Sequence, residues 1–480
     1  MIAKTAASGG PTLLPEVLAF TSSLALDRAL VREDLVGSLA HLIMLARRGI
    51  VPQEQARAIR DGLVGIWDAA QSGNLHLPEE EDVHMAVESL LTAKLGPVAG
   101  ALHAARSRND QVALDLHLYV REQCAEIFSA LARLITALVD RAEVESSTIL
   151  PSYTHRQRAQ PITLSYLFAA YGAMLARDVD AFAFVLSQAD ASPLGVGAIA
   201  GTSLPIDRPL VRDLLAFERL TVNGLDTVGD RDFALDYAYA ASRLLVHTSR
   251  IGTDFVDFST SEFGFVRLDG AIACGSSMMP QKRNPDLFEL VRAKSGTGIG
   301  NLVTLLVGLK GLPTGYNRDL QEDRGPILAT GPLVRSVLDI LELGLSRVTF
   351  DKMRCLAAVE QDATQATDVA EALVQKGLAF RTAYQLAGTL VRACQDARVP
   401  LAHVTSEMAQ AIDPRLDETV LQAARVRGAI ARKTSPGGTG PDSVREQLAA
   451  LREVVTKTKA RAESIPRLAM LFAQLREASI

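Results

Sequence analysis

The chain is poor in aromatic residues and has no excess of positive charge, and each shortage argues against a class of protein. Only 5% of its 480 residues are aromatic, with a single Trp, while Ala and Leu are abundant. That balance favours closely packed helices over sheets. The formal net charge is -5 and the pI is near 6.0, so we expect neither a nucleic-acid binder nor a membrane-surface protein. An anionic ligand would have to be held by local cations.

Cysteine is scarce as well, and its spacing argues against two kinds of cross-link. The four cysteines are Cys124, Cys274, Cys355 and Cys394. They form no C-x-x-C pair and have no histidine at metal-ligand spacing, so neither a zinc site nor a disulfide framework is predicted. Residues 1–15 lack a basic segment followed by an apolar one, and no later run of about 18 apolar residues predicts a membrane span. We expect a cytoplasmic protein.

Helical periodicity runs through most of the chain and predicts an all-α fold. N-terminal helices are expected at residues 18–48, 52–72 and 81–95, and very long helices follow to about residue 358. Strand-like runs such as residues 219–222 are too short to build a sheet. We predict three domains: an N-terminal helical domain (1–105), a central long-helix bundle (106–357) and a small C-terminal helical domain (358–480).

Two of the long helices carry apolar residues at three- and four-residue spacing, which can line the seam of a bundle. One set is Phe233, Tyr237, Ala240, Leu244, Thr248, Ile251 and Phe255, and the other is Leu287, Leu290, Val291, Leu302, Val303 and Leu306. We therefore expect both helices to pack inside the central domain.

Four polar segments interrupt the apolar pattern near predicted helix ends, at residues 103–111, 153–160, 276–284 and 316–323. The third lies in the sequence GSSMMPQKRNPD, which starts with Gly and contains two serines, two prolines and a lysine. Such a loop can bring backbone amides and a cation to an anion. Taken alone, the loop is equally well explained as a surface connection between two helices.

The other segments also have ordinary structural explanations. Residues 106–110 fit a helix N-cap with salt bridges, and Thr154 and His155 fit a cap and a structural histidine. Residues 230–232, Asp-Arg-Asp, fit an ion-pair cluster within one helix. Four such segments rich in Arg, Asn, Gln, Thr and Tyr are better explained together, as donors that converge on a polycarboxylate substrate.

Seven segments resemble, in order and spacing, the argininosuccinate lyases of the fumarase/aspartase superfamily, which includes the delta-crystallins. They are FTSSLALDRALVREDLVGSLAH, HAARSRNDQVALDL, PSYTHRQRAQPI, PLGVGAIAGTSLPIDR, DTVGDRDF, GSSMMPQKRNPD and KGLPTGYNRDLQEDRGP. The resemblance implies a three-domain fold with a long central helical bundle. It also implies a homotetramer whose multi-helix core is shared and whose active sites each collect segments from three subunits, without metal or organic cofactor.

The resemblance further implies β-elimination of argininosuccinate to arginine and fumarate, in arginine biosynthesis. Ser276 aligns with the family's catalytic base, with Ser277 as the rival. His155 aligns with the second catalytic position, and Glu289 aligns with its carboxylate partner. Proton removal beside a carboxylate gives a doubly charged aci-carboxylate intermediate, which Lys282 and the loop amides are suited to stabilise. The same groups would have to lower the pKa of a serine base.

Substrate-contacting positions also follow from the resemblance. They are Ser23, Asn109, Thr154, Asn284, Tyr316 and Gln321, with Ser107, Arg108 and Arg231 as neighbouring support. His84 matches a family histidine near the substrate, although a surface histidine at a helix end explains it equally well.

Some residues depart from the family pattern and leave the amine half of the substrate open. Arg324 stands where the family usually has a lysine that grips a carboxylate, and an Arg fork is not equivalent to a point charge. Gly325, Arg156 and the pair at residues 104–105 depart as well. The alternatives are a related lyase for another N-substituted aspartate and a catalytically silent, crystallin-like structural protein. The retained catalytic residues argue against the second.

Overall fold

The structure is a computed structural model that describes residues 14–480. The part of the N-terminal prediction that concerns residues 1–13 lies outside that range. The N-terminal helices are α1 Pro15–Thr21, α2 Leu24–Asp27, α3 Val31–Arg47, α4 Gln53–Gln71 and α5 Val83–Leu95. The predicted helix at 18–48 is therefore interrupted, because the chain is extended at Ser22 and the Ser23 N–H donates to the carbonyl of Glu81 at 2.8 Å. The other two N-terminal helices are confirmed.

The central part of the chain consists of five long helices joined by short strands and turns. Its elements are α6 Arg108–Val144, β1 Ile149–Thr154, β2 Gln157–Thr163, α7 Leu164–Ala189, β3 Ala191–Ser192, α8 Arg208–Leu214, β4 Arg219–Leu220, α9 Gly224–Thr227, α10 Asp232–Ser259, β5 Val266–Leu268, β6 Cys274–Gly275, β7 Arg283–Asn284, α11 Asp286–Leu309, α12 Arg324–Ser346 and β8 Val348–Phe350. A 3-10 turn, Arg318–Asp323, precedes α12. At 37 residues, α6 is about 56 Å long.

The two predicted seams differ in their packing. Every member of the α10 set is buried, which confirms that seam. On α11, Val291 is buried, but Leu290, Val303 and Leu306 remain 49–58% exposed. One face of α11 therefore packs within the chain, while the other presents apolar side chains at its surface.

Helix directions in the bundle decide which residues share an end. Hydrogen bonds from the Tyr119 hydroxyl to the Leu328 carbonyl and from Arg141 to the Val348 carbonyl, both 3.0 Å, show that α6 and α12 run parallel. Helices α10 and α11 are antiparallel, because Gly252 late in α10 lies against Phe288 early in α11, whereas Ser242 earlier in α10 donates to the carbonyl of Gly298 further along α11.

The strands form four two-stranded pairs, so the expectation of a fold without a large sheet is confirmed. The β1–β2 hairpin was not foreseen, since its turn, His155-Arg156, has no Asn-Gly or Asp-Gly signal. Strand β6 pairs antiparallel with β7 and closes the loop between them.

The C-terminal part contains α13 Lys352–Glu360, α14 Ala366–Gln375, α15 Phe380–Asp396, α16 Ser406–Gln410, α17 Glu418–Leu421, α18 Val426–Ala431, α19 Pro441–Ser464 and α20 Leu468–Glu477. Side chains of α14, α15 and α17 build a core of their own. Residues of α19 join the core of the central bundle, and those of α20 join the N-terminal core, where Phe472 stacks on Trp67 at 3.9 Å. The boundaries of the three domains remain a prediction. Within residues 14–480, no helix has the length and apolar character that crossing a membrane requires.

Candidate active site

The loop at residues 276–282 is held at its base by β6 and β7 and presents Ser276 in a defined environment. The Ser276 Oγ accepts hydrogen bonds from the backbone N–H groups of Met278 at 3.3 Å and Met279 at 3.0 Å. Lys282 is exposed, and its backbone N–H donates to the Met279 carbonyl at 3.0 Å. Two amides aimed at one hydroxyl oxygen would stabilise negative charge on that oxygen.

Thr154 and His155 lie at the tip of the β1–β2 hairpin, and both are exposed. His155 and Arg156 have φ angles of 53° and 59°. Non-glycine residues rarely adopt this left-handed backbone, and such strain often occurs at functional sites. The Arg156 guanidinium pairs with Asp257 near the end of α10, which fixes the turn to the bundle. Within the described residues, neither the His155 side chain nor the Glu289 side chain has a hydrogen-bond or ion-pair partner.

Ser107, Arg108 and Asn109 lie at the start of α6, as the cap interpretation of this segment predicted. Ser107 is the N-cap and forms a capping box with Asp110. The other carboxylate oxygen of Asp110 accepts the backbone N–H groups of Gly195 and Gly197 at 3.0 and 2.9 Å. Burial raises the pKa of Asp110 to about 6, although these three backbone donors lower it. Asp110 thus ties the glycine-rich segment after α7 to the start of α6.

Arg231 belongs to a buried ion-pair cluster and not to the intrahelical one that the sequence suggested. Its Nε donates to Asp323 at 2.5 Å, across 92 residues of chain. Arg324 contacts the other oxygen of Asp323 at 2.8 Å and Asp27 at 3.3 Å. Asp27 in turn accepts the hydroxyl of Ser23. The cluster gathers three of the predicted substrate-binding residues into one connected set.

Tyr316 and Gln321 lie beside that cluster. Gln321 donates to the Thr21 carbonyl at 2.9 Å, while half-buried Tyr316 lies near Arg324. A cavity of about 300 Å³ opens here between the end of α11 and the start of α10, with Arg231 in its wall. A larger cavity of about 450 Å³, between α6, α7 and α19, contains none of the predicted site residues.

His84 is 2% exposed, so its interpretation as a surface histidine is wrong. Its Nδ1 lies 2.9 Å from Asp34 and 3.5 Å from Asp115. Burial opposes ionisation of Asp34, but the bond to His84 holds the pKa of that carboxyl below its usual value. Ligand atoms of these three residues lie within 4.8 Å of one another. Because Gln111 also donates to Asp34, at 2.5 Å, a hydrogen-bonded polar network explains the group better than a metal site does.

The predicted site residues fall into two groups at opposite ends of the bundle. The first group is Ser23, His84, Ser107, Arg108, Asn109, Arg231, Tyr316, Gln321 and Arg324, and the second is Thr154, His155, Ser276, Lys282, Asn284 and Glu289. Arg231 immediately precedes α10, whereas Asp257, the partner of Arg156, lies in its last turn. Twenty-five residues of helix separate Asp232 from Asp257, or about 38 Å. A single chain therefore does not bring the two groups together.

Sequence reasoning missed several buried carboxylates that hold these residues, among them Asp27, Asp34 and Asp323. Each lies inside or beside a motif that was already noted. The available signal was an acidic residue among apolar residues of a helical segment. Such a residue is expected to be buried, and a buried charge needs a partner.

The chain matches two family models. Residues 16–300 match the lyase family, and residues 363–431 match the argininosuccinate lyase C-terminal family. An argininosuccinate lyase from a Synechococcus strain is 46% identical over 91% of this chain and 90% of that protein. The chain belongs to the argininosuccinate lyase family. A second member, from Symbiobacterium thermophilum, is 42% identical over 91% of this chain and 95% of its own length.

Solved structures share the fold of this chain. An EDDS lyase in complex with formate has a TM-score of 0.81 at 25% identity, covering 94% of this chain and 90% of that one. The class II fumarase from Schistosoma mansoni has a TM-score of 0.72 at 17% identity, covering 88% and 95%. The fold is thus the helical fumarase/aspartase fold that the sequence predicted.

Proposed function

We propose that the protein is the carbon–nitrogen lyase that cleaves argininosuccinate to arginine and fumarate in arginine biosynthesis. Its family membership supports the reaction. The observation that carries the mechanism is the Ser276 Oγ, which accepts two backbone amides inside a loop closed by paired strands. The four free cysteines within the described residues agree with a cytoplasmic location.

Ser276 acts as the base in this proposal. Its alkoxide takes the proton from the carbon beside the carboxylate of the succinyl half. A serine hydroxyl is a weak acid, so its alkoxide must be stabilised where it stands, and the amides of Met278 and Met279 are aimed at that oxygen. Ser277 is exposed beside it and has no such donors among the described residues.

The negative charge that develops on the substrate meets Lys282 and Asn284. Proton removal places a second charge on the carboxylate as an aci-carboxylate. Lys282 follows the turn of the loop, and Asn284 lies on β7 opposite Cys274, so both side chains belong to the same small hairpin. A positioned cation and an amide stabilise such an intermediate in a site from which water is excluded. Collapse of the intermediate breaks the carbon–nitrogen bond and releases fumarate.

His155 and Glu289 assist the departing nitrogen in this scheme, with His155 as either proton donor or orienter. Both side chains are exposed and lack partners among the described residues, so each is free to meet a group from elsewhere. Glu289 lies in the first turn of α11, directly after the loop. A guanidinium is a good leaving group and needs little protonation help.

We propose that the active enzyme is a homotetramer whose sites are each built by three subunits. The separation of about 38 Å along α10 supports this arrangement, since a site needs residues from both ends of the bundle. The exposed apolar face of α11 supports it as well: Leu290, Ile299, Val303 and Val307 are 44–68% exposed. A monomer rarely leaves such a face in water. An antiparallel neighbour would cover it and bring opposite ends together.

We favour argininosuccinate over another N-substituted aspartate as the substrate, because Arg324, which departs from the family pattern, does not reshape an open pocket. Arg324 is 2% exposed and is held by Asp27 and Asp323. A silent structural protein is disfavoured by the built environment of Ser276.

Fumarate release tests the proposal. Purified protein incubated with argininosuccinate should release fumarate, followed by ultraviolet absorbance. Ser276→Ala should abolish turnover while size-exclusion chromatography shows an unchanged assembly, and the matched Ser277→Ala should retain most turnover. Release from another N-substituted aspartate alone would reassign the substrate. Substantial turnover by Ser276→Ala would show that another group is the base.

A further inference from the structure

Arg324, which stands where the family usually has a lysine, is the centre of a buried network. The Arg324 side chain is 3% exposed. Its Nε lies 3.3 Å from Asp27, and its Nη1 donates to Asp323 at 2.8 Å and to the Leu320 carbonyl at 3.0 Å. Burial lowers the pKa of this guanidinium, but the two carboxylates raise it above its usual value. Arg324 therefore stays charged and already has its counter-ions.

The charges in the network balance without a ligand. Arg231 and Arg324 supply two positive charges, and Asp27 and Asp323 supply two negative ones, all of them at most 4% exposed. A buried cation that is paired twice has no surplus charge for a third carboxylate, and breaking one pair would leave a buried charge uncompensated. Arg324 is thus poorly suited to grip a carboxylate of the substrate.

What the network does instead is fix the position of Ser23. Asp27 accepts the hydroxyl of Ser23, and Asp27 is itself held by Arg324. Ser23 precedes α2, whereas Arg324 opens α12 about 300 residues later. The guanidinium therefore clamps the N-terminal segment onto the end of the bundle.

A lysine would not serve in the same way. Arg324 reaches Asp27 and Asp323 with two different nitrogens of one planar group. An ammonium is a single point on a flexible stem and lacks that fork. The arginine and its two carboxylate partners form one geometric unit.

We infer that Arg324 is a positioning residue that acts through Asp27 on Ser23, and that Asp27 and Asp323 share this role. The inference rests on the proposed function, because the resemblance to argininosuccinate lyases implies that Ser23 contacts the substrate of that reaction. It assigns a function to two carboxylates, and it replaces a direct grip on the substrate with an indirect one.

A double-mutant cycle on Arg324→Met and Asp27→Asn tests the inference, with kcat and KM for argininosuccinate as readouts. Each single variant should lower kcat/KM roughly 10- to 100-fold, the range for loss of a hydrogen bond to a charged group, mainly through KM. The double variant should be no worse than the worse single one, because both changes cut the same link. Arg324→Lys should not restore KM. As a matched control, Asp413→Asn and Arg415→Met break an ion pair at the surface of the C-terminal part and should leave KM unchanged.

A direct grip predicts the opposite pattern. Asp27→Asn would then leave KM nearly unchanged, the two substitutions would act independently, and Arg324→Lys would recover much of the affinity. Any of these results overturns the inference. Thermal unfolding of the same proteins provides a readout that needs no turnover. The double variant should unfold at a higher temperature than Arg324→Met alone, because it removes the uncompensated carboxylate. Additive shifts of the unfolding temperature would contradict the network. If the parent protein released no fumarate, that result would contradict the proposed function alone.

Discussion

Two inactive variants should restore activity to each other if the two ends of the bundle meet only between subunits. Asn109→Ala alters the first group of site residues, at the start of α6, and Ser276→Ala removes the proposed base at the other end. Neither variant alone should release fumarate at a useful rate. In a mixed assembly, one chain can supply an intact Asn109 while another supplies an intact Ser276.

The size of the recovery follows from the geometry. With equal amounts and random mixing, the chain that supplies Asn109 is intact there in half of the sites, and the same holds for the chain that supplies Ser276. About a quarter of the sites should then be complete when the donors are different chains. The variants would carry different affinity tags, be unfolded and refolded together, and be purified through both tags. Because this purification removes the two homotetramers, about one eighth of random tetramers, fumarate release should return to about 0.3 of the parent rate.

Controls separate recovery from refolding artefacts. Each variant refolded alone should stay inactive, and mixing the folded variants without subunit exchange should do nothing. Doubly tagged hybrids that remain inactive would refute the reasoning, because they would show that a single chain supplies both residues despite the length of α10.

Two further substitutions test a close backbone contact and a buried carboxyl group. Gly229→Ala would place a Cβ 2.7 Å from the Gly315 carbonyl, so we expect a stability loss of about 1–3 kcal/mol from overpacking together with a lower kcat/KM. The matched control is Gly100→Ala, because nothing lies within 4 Å of the added Cβ. Equal effects of the two substitutions would contradict overpacking at Gly229 as the cause. Burial raises the pKa of Glu33 to about 8 from 4.5, so folding favours its neutral form, and stability should fall as pH rises between those values. Glu33→Gln should flatten that part of the unfolding profile, and parallel profiles would rule the explanation out.

The sequence alone predicted the elements whose signals are local. The α10 seam followed from apolar spacing, and the loop around Ser276 followed from its Gly, Ser and Pro content. Both were found where they were expected. The β1–β2 hairpin was not predicted, because the left-handed turn at His155-Arg156 uses residues that carry no turn signal.

The partners of buried polar and charged side chains could not be predicted from the local sequence. Arg231 was assigned to its neighbours in sequence, but its carboxylate is Asp323, 92 residues away. His84 was equally well explained as a surface residue, and only the packing of α3, α5 and α6 buries it against Asp34 and Asp115. Charged side chains pair with groups that are close in space, and spacing along one helix does not predict which groups these are.

The sequence by itself determined the family, the helical class and the chemical character of the site, because composition, periodicity and motif order are properties of the chain. Tertiary structure decided which residues share an end of the bundle. About 38 Å of rigid helix in α10 holds the two groups apart, so the same residues that identify the reaction from the sequence form only parts of a site in one folded chain. Tertiary structure also decided that Arg324 faces inward, since two carboxylates from distant segments neutralise it there.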